Sequence, residues 1–256
     1  MTTLQAIILG IVEGVTEFLP ISSTGHLILA SKLFGIADAL FTKSFEIAIQ
    51  FGAILAVVAL YWKKVFSNKD LWKKVLVAFI PTAILGFLFY RILKEFLLSS
   101  SAIVLWSLFL GGIFLILFEI WHEKQNKDHH TEDISYRKSF LIGIFQAFAI
   151  IPGVSRSGAT IIGGLAMGIK RQTIIEFSFL LAVPTMAAAT GYDLLKSAHD
   201  FSFDQLGILA LGFFISFIVA ILSIKWLLNF IKNHTFVSFG VYRIIVAVLF
   251  WFLVIR

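Results

Sequence analysis

Six stretches of the chain, Phe45–Trp62, Val75–Tyr90, Ala102–Trp121, Ile174–Leu195, Leu206–Leu228 and Val237–Ile255, are almost unbroken runs of apolar residues. Each approaches the roughly 20 residues that a helix needs to cross the hydrocarbon of a bilayer. The 256-residue sequence is 59% hydrophobic and 14% charged, with a mean hydropathy of +0.94, against about 45–50% and 25% in ordinary soluble domains. A core of this size cannot hide so much apolar surface, which must face lipid. The expected class is an all-α polytopic membrane protein.

Two further apolar stretches, 4–36 and 140–169, are interrupted by polar clusters: Pro20-Ile21-Ser22-Ser23-Thr24-Gly25-His26 and Pro152-Gly153-Val154-Ser155-Arg156-Ser157-Gly158-Ala159-Thr160. Each stretch reads as helix, break, helix, with arms too short to span, which favours re-entrant hairpins over single kinked spans. Gly10-Ile11-Val12-Glu13 and Gly143-Ile144-Phe145-Gln146 begin matching patterns 133 residues apart. The expected organisation is one membrane domain, 1–256, made of two repeats. The first, 1–121, holds the hairpin 4–36 and three spans. A cytoplasmic linker, 122–138, leads to the second, 139–256, which holds the hairpin 140–169 and three spans. Three spans per half invert the second repeat relative to the first, and in such inverted repeats the broken helices meet near the midplane and form the binding site.

Net charge is +6, but the basic residues lie in short loops, where they set orientation rather than bind nucleic acid. Lys63, Lys64, Lys69, Lys73, Lys74, Lys124, Lys127, Arg137, Lys138, Lys170, Arg171, Lys225 and Lys232 fall on one side of this layout, against Lys32, Lys43, Arg91, Lys94, Lys196 and Arg256 on the other. The richer side is placed in the cytoplasm. Both termini and the first hairpin then belong to the outer side. Met1–Ala30 has no basic residue ahead of its apolar run and is expected to stay in the mature fold rather than act as a secretory signal. The absence of Cys excludes disulfides, thiolate metal sites and a Cys nucleophile. His122, His129 and His130 sit in a mixed-charge stretch that reads as solvated linker rather than a metal site.

The chemistry concentrates at the two breaks. Glu13 and Glu17 stand four apart, so a helix puts both carboxylates on one face. They are either structural ties or, as ionisable groups at membrane depth usually are, part of a polar cavity that does acid–base work or binds a hard cation. After Pro20, Ser22, Ser23 and Thr24 can cap the next helix, and Gly25 eases the approach of backbone to a ligand, so that helix N-terminus forms an anion site. His26, three residues beyond Ser23, can activate its hydroxyl or itself attack phosphorus; spacing does not choose. In the second break Ser155, Ser157 and Thr160 supply hydroxyls, Gly153 and Gly158 a tight backbone, and Arg156 a planar fork suited to phosphate oxygens. In a resting state Arg156 can also bridge to Glu13 or Glu17. Glu46, Gln50, Glu176 and Arg243 read as ties between helices.

The segments Glu13-Gly14-Val15-Thr16-Glu17-Phe18-Leu19-Pro20-Ile21-Ser22-Ser23-Thr24-Gly25-His26 and Pro152–Thr160 closely resemble the signature motifs of the bacterial undecaprenyl pyrophosphate phosphatase family, also called the bacitracin resistance protein family. The similarity continues through Phe45–Leu55 and Glu176–Pro184. The resemblance implies an inner-membrane hydrolase that takes one phosphate from undecaprenyl pyrophosphate. The product is the lipid carrier reused in peptidoglycan synthesis; bacitracin sequesters the pyrophosphate form, which explains the resistance name. It also implies that Glu17, Ser23, His26 and Arg156 are catalytic, with Ser23 as nucleophile and His26 as its partner. Glu13, Ser22, Thr24, Gly25, Ser155, Ser157, Gly158 and Thr160 are expected to bind substrate. Glu13 and Glu17 are candidate ligands for a stimulating divalent cation, Mg2+ or Ca2+, with no organic cofactor. Expected partners are the polyprenyl pyrophosphate, bilayer lipids and a second copy in a homodimer. The competing function on the same inverted repeat is a polyprenyl-phosphate transporter or flippase.

Overall fold

The computed structural model describes residues 1–37, 39–92, 100–124, 131–197 and 205–254. Ten α-helices run through them: α1 Thr3–Thr16, α2 Ser23–Leu33, α3 Leu40–Ser67, α4 Lys69–Ile92, α5 Ser101–Glu123, α6 Tyr136–Ala147, α7 Arg156–Ala166, α8 Arg171–Ser197, α9 Leu206–Phe230 and α10 Val237–Val254. Among the described residues α3, α4, α5, α8 and α9 are long and apolar enough to cross a membrane. The chain is an all-α polytopic membrane protein. The sixth expected span corresponds to α10, a shorter helix of 18 residues, about 27 Å long.

Helix ends overrun the apolar runs. α3 and α4 begin five and six residues before the expected starts, Phe45 and Val75, and α3 continues through Lys63 and Lys64. Hydropathy marks only the part of a helix that sits in hydrocarbon; charged end residues remain helical because their flexible stems reach water. For the same reason the linker is shorter than the sequence suggested. His122 is on α5, stacked on Phe118, and Ser135 caps α6 by accepting from the Lys138 N–H, so Tyr136–Lys138 are helical. Thr131 is pinned to the α7–α8 turn by Thr131 N–H to Gly168 O (3.0 Å) and Lys170 N–H to Thr131 O (2.9 Å). Lys94, Lys127, His129, His130 and Arg256, and the side chains of Arg91 and Lys196, lie outside the described residues.

Both interrupted stretches are helix–break–helix, and their arms pack on each other, α1 on α2 and α6 on α7. Several other pairs match between the halves: α1 lies on α9 as α6 lies on α4, and α3 meets α8 as α5 meets α10. Glycines let these helices approach. A Cβ on Gly14 would come within 2.8 Å of the Ser216 carbonyl oxygen on α9, and one on Gly143 would run into the Ala78 carbonyl on α4. Small residues at such contacts let backbones pack in lipid, where no hydrophobic force draws helices together.

Two Pro-Thr pairs interrupt the hydrogen-bond ladders of α4 and α8, at Pro81-Thr82 and Pro184-Thr185. The neighbouring hydroxyls find backbone acceptors: Thr185 Oγ1 donates to Leu181 O (2.8 Å), and Thr82 Oγ1 reaches across to Gly143 O (3.1 Å). Gln146, fully buried on α6, donates from Nε2 to both Thr82 (2.8 Å) and Thr185 (3.1 Å), tying the two kinks together.

Candidate functional site

Each break ends in a serine that caps the following helix. Ser22 Oγ accepts from Gly25 N–H (3.4 Å) and Ser155 Oγ from Gly158 N–H (3.1 Å). These pairs also stand 133 positions apart, so Ser23 and Arg156 occupy the same first-turn position in α2 and α7. Ser22 is the non-glycine residue with positive φ (72°) among the described residues. That conformation costs about 1–3 kcal/mol and persists only where surroundings impose it. Here it turns the chain sharply after Pro20.

The two breaks touch. Ser157 Oγ donates to Leu19 O (2.8 Å), and Ser155 Oγ lies 3.0 Å from Ser157 Oγ. Arg156 crosses to the other half, donating from Nη2 to Glu17 Oε1 (3.0 Å), and from Nη1 to Ser178 O on α8 (3.0 Å). Its buried Nε has no hydrogen-bond partner. Glu17, 7% exposed, accepts on its other oxygen from the Ser23 hydroxyl. A nucleophile-type hydroxyl, a carboxylate able to take its proton, and a guanidinium with donor capacity to spare thus form one chain of contacts.

A cavity of about 210 Å³ opens on this chain. Of the expected site residues it exposes Glu17, Ser22, Ser23, Thr24, Ser155 and Arg156. Gln50 from α3 and Thr185, Met186, Ala189 and Thr190 from α8 complete the wall with Ala149 and Val154. Gly25, Gly158, Ser157 and Thr160 do not line it; they hold the breaks, Thr160 through Ser178 Oγ at 2.5 Å. Glu13 is fully buried one turn behind Glu17, neither of its oxygens with a hydrogen-bond partner.

His26 is placed differently from its expected role. Its Nδ1–H donates to Ser22 O (2.8 Å), Nε2 hydrogen-bonds to the Tyr242 hydroxyl of α10 (3.0 Å), and the two rings stack at 5.6 Å. His26 does not line the cavity. Ser23, one residue past the elbow, points at Glu17 instead. Glu46 and Glu176 act as ties, to Ser31 (3.1 Å) and Lys64 (2.5 Å). In the wall, Thr185 has a faint signal in sequence, a Thr beside an intrahelical Pro; Thr190 and Tyr242 have none.

The donor set does not fit a resident metal. No three His, Cys, Asp or Glu side chains cluster among the described residues, Glu17 is engaged by Arg156 and Ser23, and Glu13 is shut off from the cavity.

A helical bundle with helices of membrane-crossing length defines an integral membrane protein with a hydroxyl- and arginine-lined cavity between two broken helices. The family model described as bacitracin resistance protein BacA matches residues 6–249. The chain belongs to that family. It is 54% identical over 252 residues to a protein named undecaprenyl-diphosphatase from Sulfurihydrogenibium sp., covering 98% of this chain and 99% of that one. It is also 52% identical over 250 residues to the protein of that name from Aquifex aeolicus, and 53% over 253 residues to that from Persephonella marina, with 98% of each chain covered.

Proposed function

We propose that the chain is a phosphatase that removes the terminal phosphate of undecaprenyl pyrophosphate, returning the monophosphate carrier to cell-wall synthesis and lowering sensitivity to bacitracin. The carrying observation is Arg156: half-buried in the cavity wall, its buried Nε unpartnered, and sharing Glu17 with the hydroxyl of Ser23. Phosphoryl transfer asks chiefly for positioning and charge neutralisation. Arg156 and the N–H groups opening α2 and α7 supply the neutralisation. Ser23 Oγ attacks the terminal phosphorus while Glu17 takes its proton. The bond to the bridging oxygen breaks, and the polyprenyl phosphate leaves. Glu17 passes that proton to the departing phosphate, then takes one from the water that attacks the phosphoserine and returns it to Ser23 Oγ as inorganic phosphate is freed. Arg156 exchanges its bond to Glu17 for one to phosphate oxygens, which frees the carboxylate as substrate binds. A divalent cation held by the diphosphate's own oxygens would add charge neutralisation, and no step of these residues depends on it.

The two halves form an inverted repeat with re-entrant hairpins, a reading supported by the matching helix pairs and the shared 133-residue offset. The protein sits in the bacterial cytoplasmic membrane with the cavity toward its outer face. Supporting this, Lys64, Lys74, Lys170, Arg171 and Lys232 surround a separate cavity of about 660 Å³. Lys64 lies 14 residues beyond Gln50 on α3, about 21 Å away.

Phosphate release from undecaprenyl pyrophosphate by purified protein in detergent, where there are no compartments, tests the activity against transport. Ser23→Ala and Arg156→Ala should each lower it at least about 100-fold with folding intact. Near-normal release by Ser23→Ala would hand the attack to water or His26.

A further inference from the structure

Arg243, on α10 and 4% exposed, meets backbone carbonyls from three directions. Nη2 donates to Ser107 O (2.9 Å) and Gly153 O (3.0 Å), Nε to Leu108 O (3.3 Å) and Nη1 to Pro20 O (3.4 Å). Ser107 and Leu108 belong to α5, which packs along α10. Pro20 lies in the first break and Gly153 in the second, 133 positions apart and so at equivalent places in the two halves. One guanidinium therefore ties both elbows to one rigid helix pair. Its seat is cut to fit: a Cβ on Gly111 would strike the guanidinium itself, and one on Gly112 would lie 2.7 Å from the Gly240 carbonyl oxygen.

The charge is also uncancelled. No carboxylate forms an ion pair with Arg243 among the described residues, and carbonyl dipoles solvate a cation without neutralising it. In a low-dielectric interior such a charge acts over a distance. Two of its carbonyl partners, Pro20 and Gly153, stand two residues and one residue from Ser22 and Val154, which line the cavity between the elbows. A tie alone would not require a group that carries charge; five fixed donors explain the tie, and the unpaired charge is left over.

We propose that Arg243 is a positioning residue for the diphosphate. It sets the separation of the two elbows, so that Ser23 and Arg156 address the same phosphate, and it adds a second buried positive charge behind them. This rests on the phosphatase reading above.

The test compares wild type, Arg243→Lys and Arg243→Gln as full-length purified protein. It measures thermal midpoint, calorimetric binding of inorganic pyrophosphate, and kcat and KM for phosphate release. Arg243→Gln should weaken pyrophosphate binding and raise KM by about tenfold or more, because the charge is gone. Arg243→Lys should keep affinity within about threefold and lose mainly kcat, because a point charge cannot span both carbonyl sets. If both variants lose stability and kcat alike with pyrophosphate affinity and KM unchanged, Arg243 is only a structural tie and the proposal falls. If wild type releases no phosphate, the phosphatase reading fails instead. Calorimetry still decides for Arg243: weaker pyrophosphate binding by the Gln variant upholds its role, and unchanged or absent binding in both proteins overturns it. Should Arg243→Gln not fold, Arg243→Lys carries the test, and an unchanged kcat overturns the proposal.

Discussion

Glu17 uses its two oxygens on partners from both halves of the molecule, Ser23 from its own elbow and Arg156 from the other. In the proposed mechanism that division gives the base role to a carboxylate, while the imidazole three residues past Ser23 is occupied by Ser22 O and Tyr242. Glu17→Gln keeps the size and removes the base, so phosphate release should fall about 10²–10⁴-fold. His26→Gln and Tyr242→Phe, which disturb a ring outside the cavity, should each cost less than about tenfold by the same assay and scale. His26→Gln as damaging as Glu17→Gln would return the proton to the imidazole. Glu17 and Arg156 were legible in the sequence because a charge in an apolar run has so few uses. The direction of His26 was not: Ser22 at φ 72° rotates the first turn of α2, and the partner that holds the ring is 216 positions away.

At the level of elements, Pro and Gly announced both breaks, and hydropathy gave the long helices without their ends. How the arms dock was hidden, since it depends on which glycine faces which backbone. Gly143 and Gly86 look alike in sequence and differ in place. A Cβ on Gly143 meets the Ala78 carbonyl and Pro81 Cδ, the latter at 3.0 Å, whereas one on Gly86 meets nothing within 4 Å. Gly143→Ala should destabilise by about 1–3 kcal/mol through overpacking against backbone that cannot yield. Gly86→Ala should be neutral or stabilise by up to about 1 kcal/mol, as Ala is the better helix former. Thermal denaturation in one detergent compares the two. Equal midpoints would mean that α6 does not dock on α4 as described.

Across the whole molecule, two chemically unlike elbows occupy equivalent places: one presents Ser23 and the other Arg156 at the same helix position, and only together do they make a site. The 133-residue offset was visible in sequence, but the contact between elbows is a long-range fact carried by Leu19, Ser157 and Arg243. That contact can be measured directly, because the chain has no native Cys. A Cβ on Gly158 lies 3.5 Å from that of Pro20, at the short end of the roughly 3.5–4.5 Å that a disulfide spans. In membranes under mild oxidation, Pro20→Cys combined with Gly158→Cys should close an intramolecular disulfide almost completely, seen as peptides containing positions 20 and 158 linked in the mass spectrum. Two thiols that stay free and fully alkylated in folded protein would contradict the account.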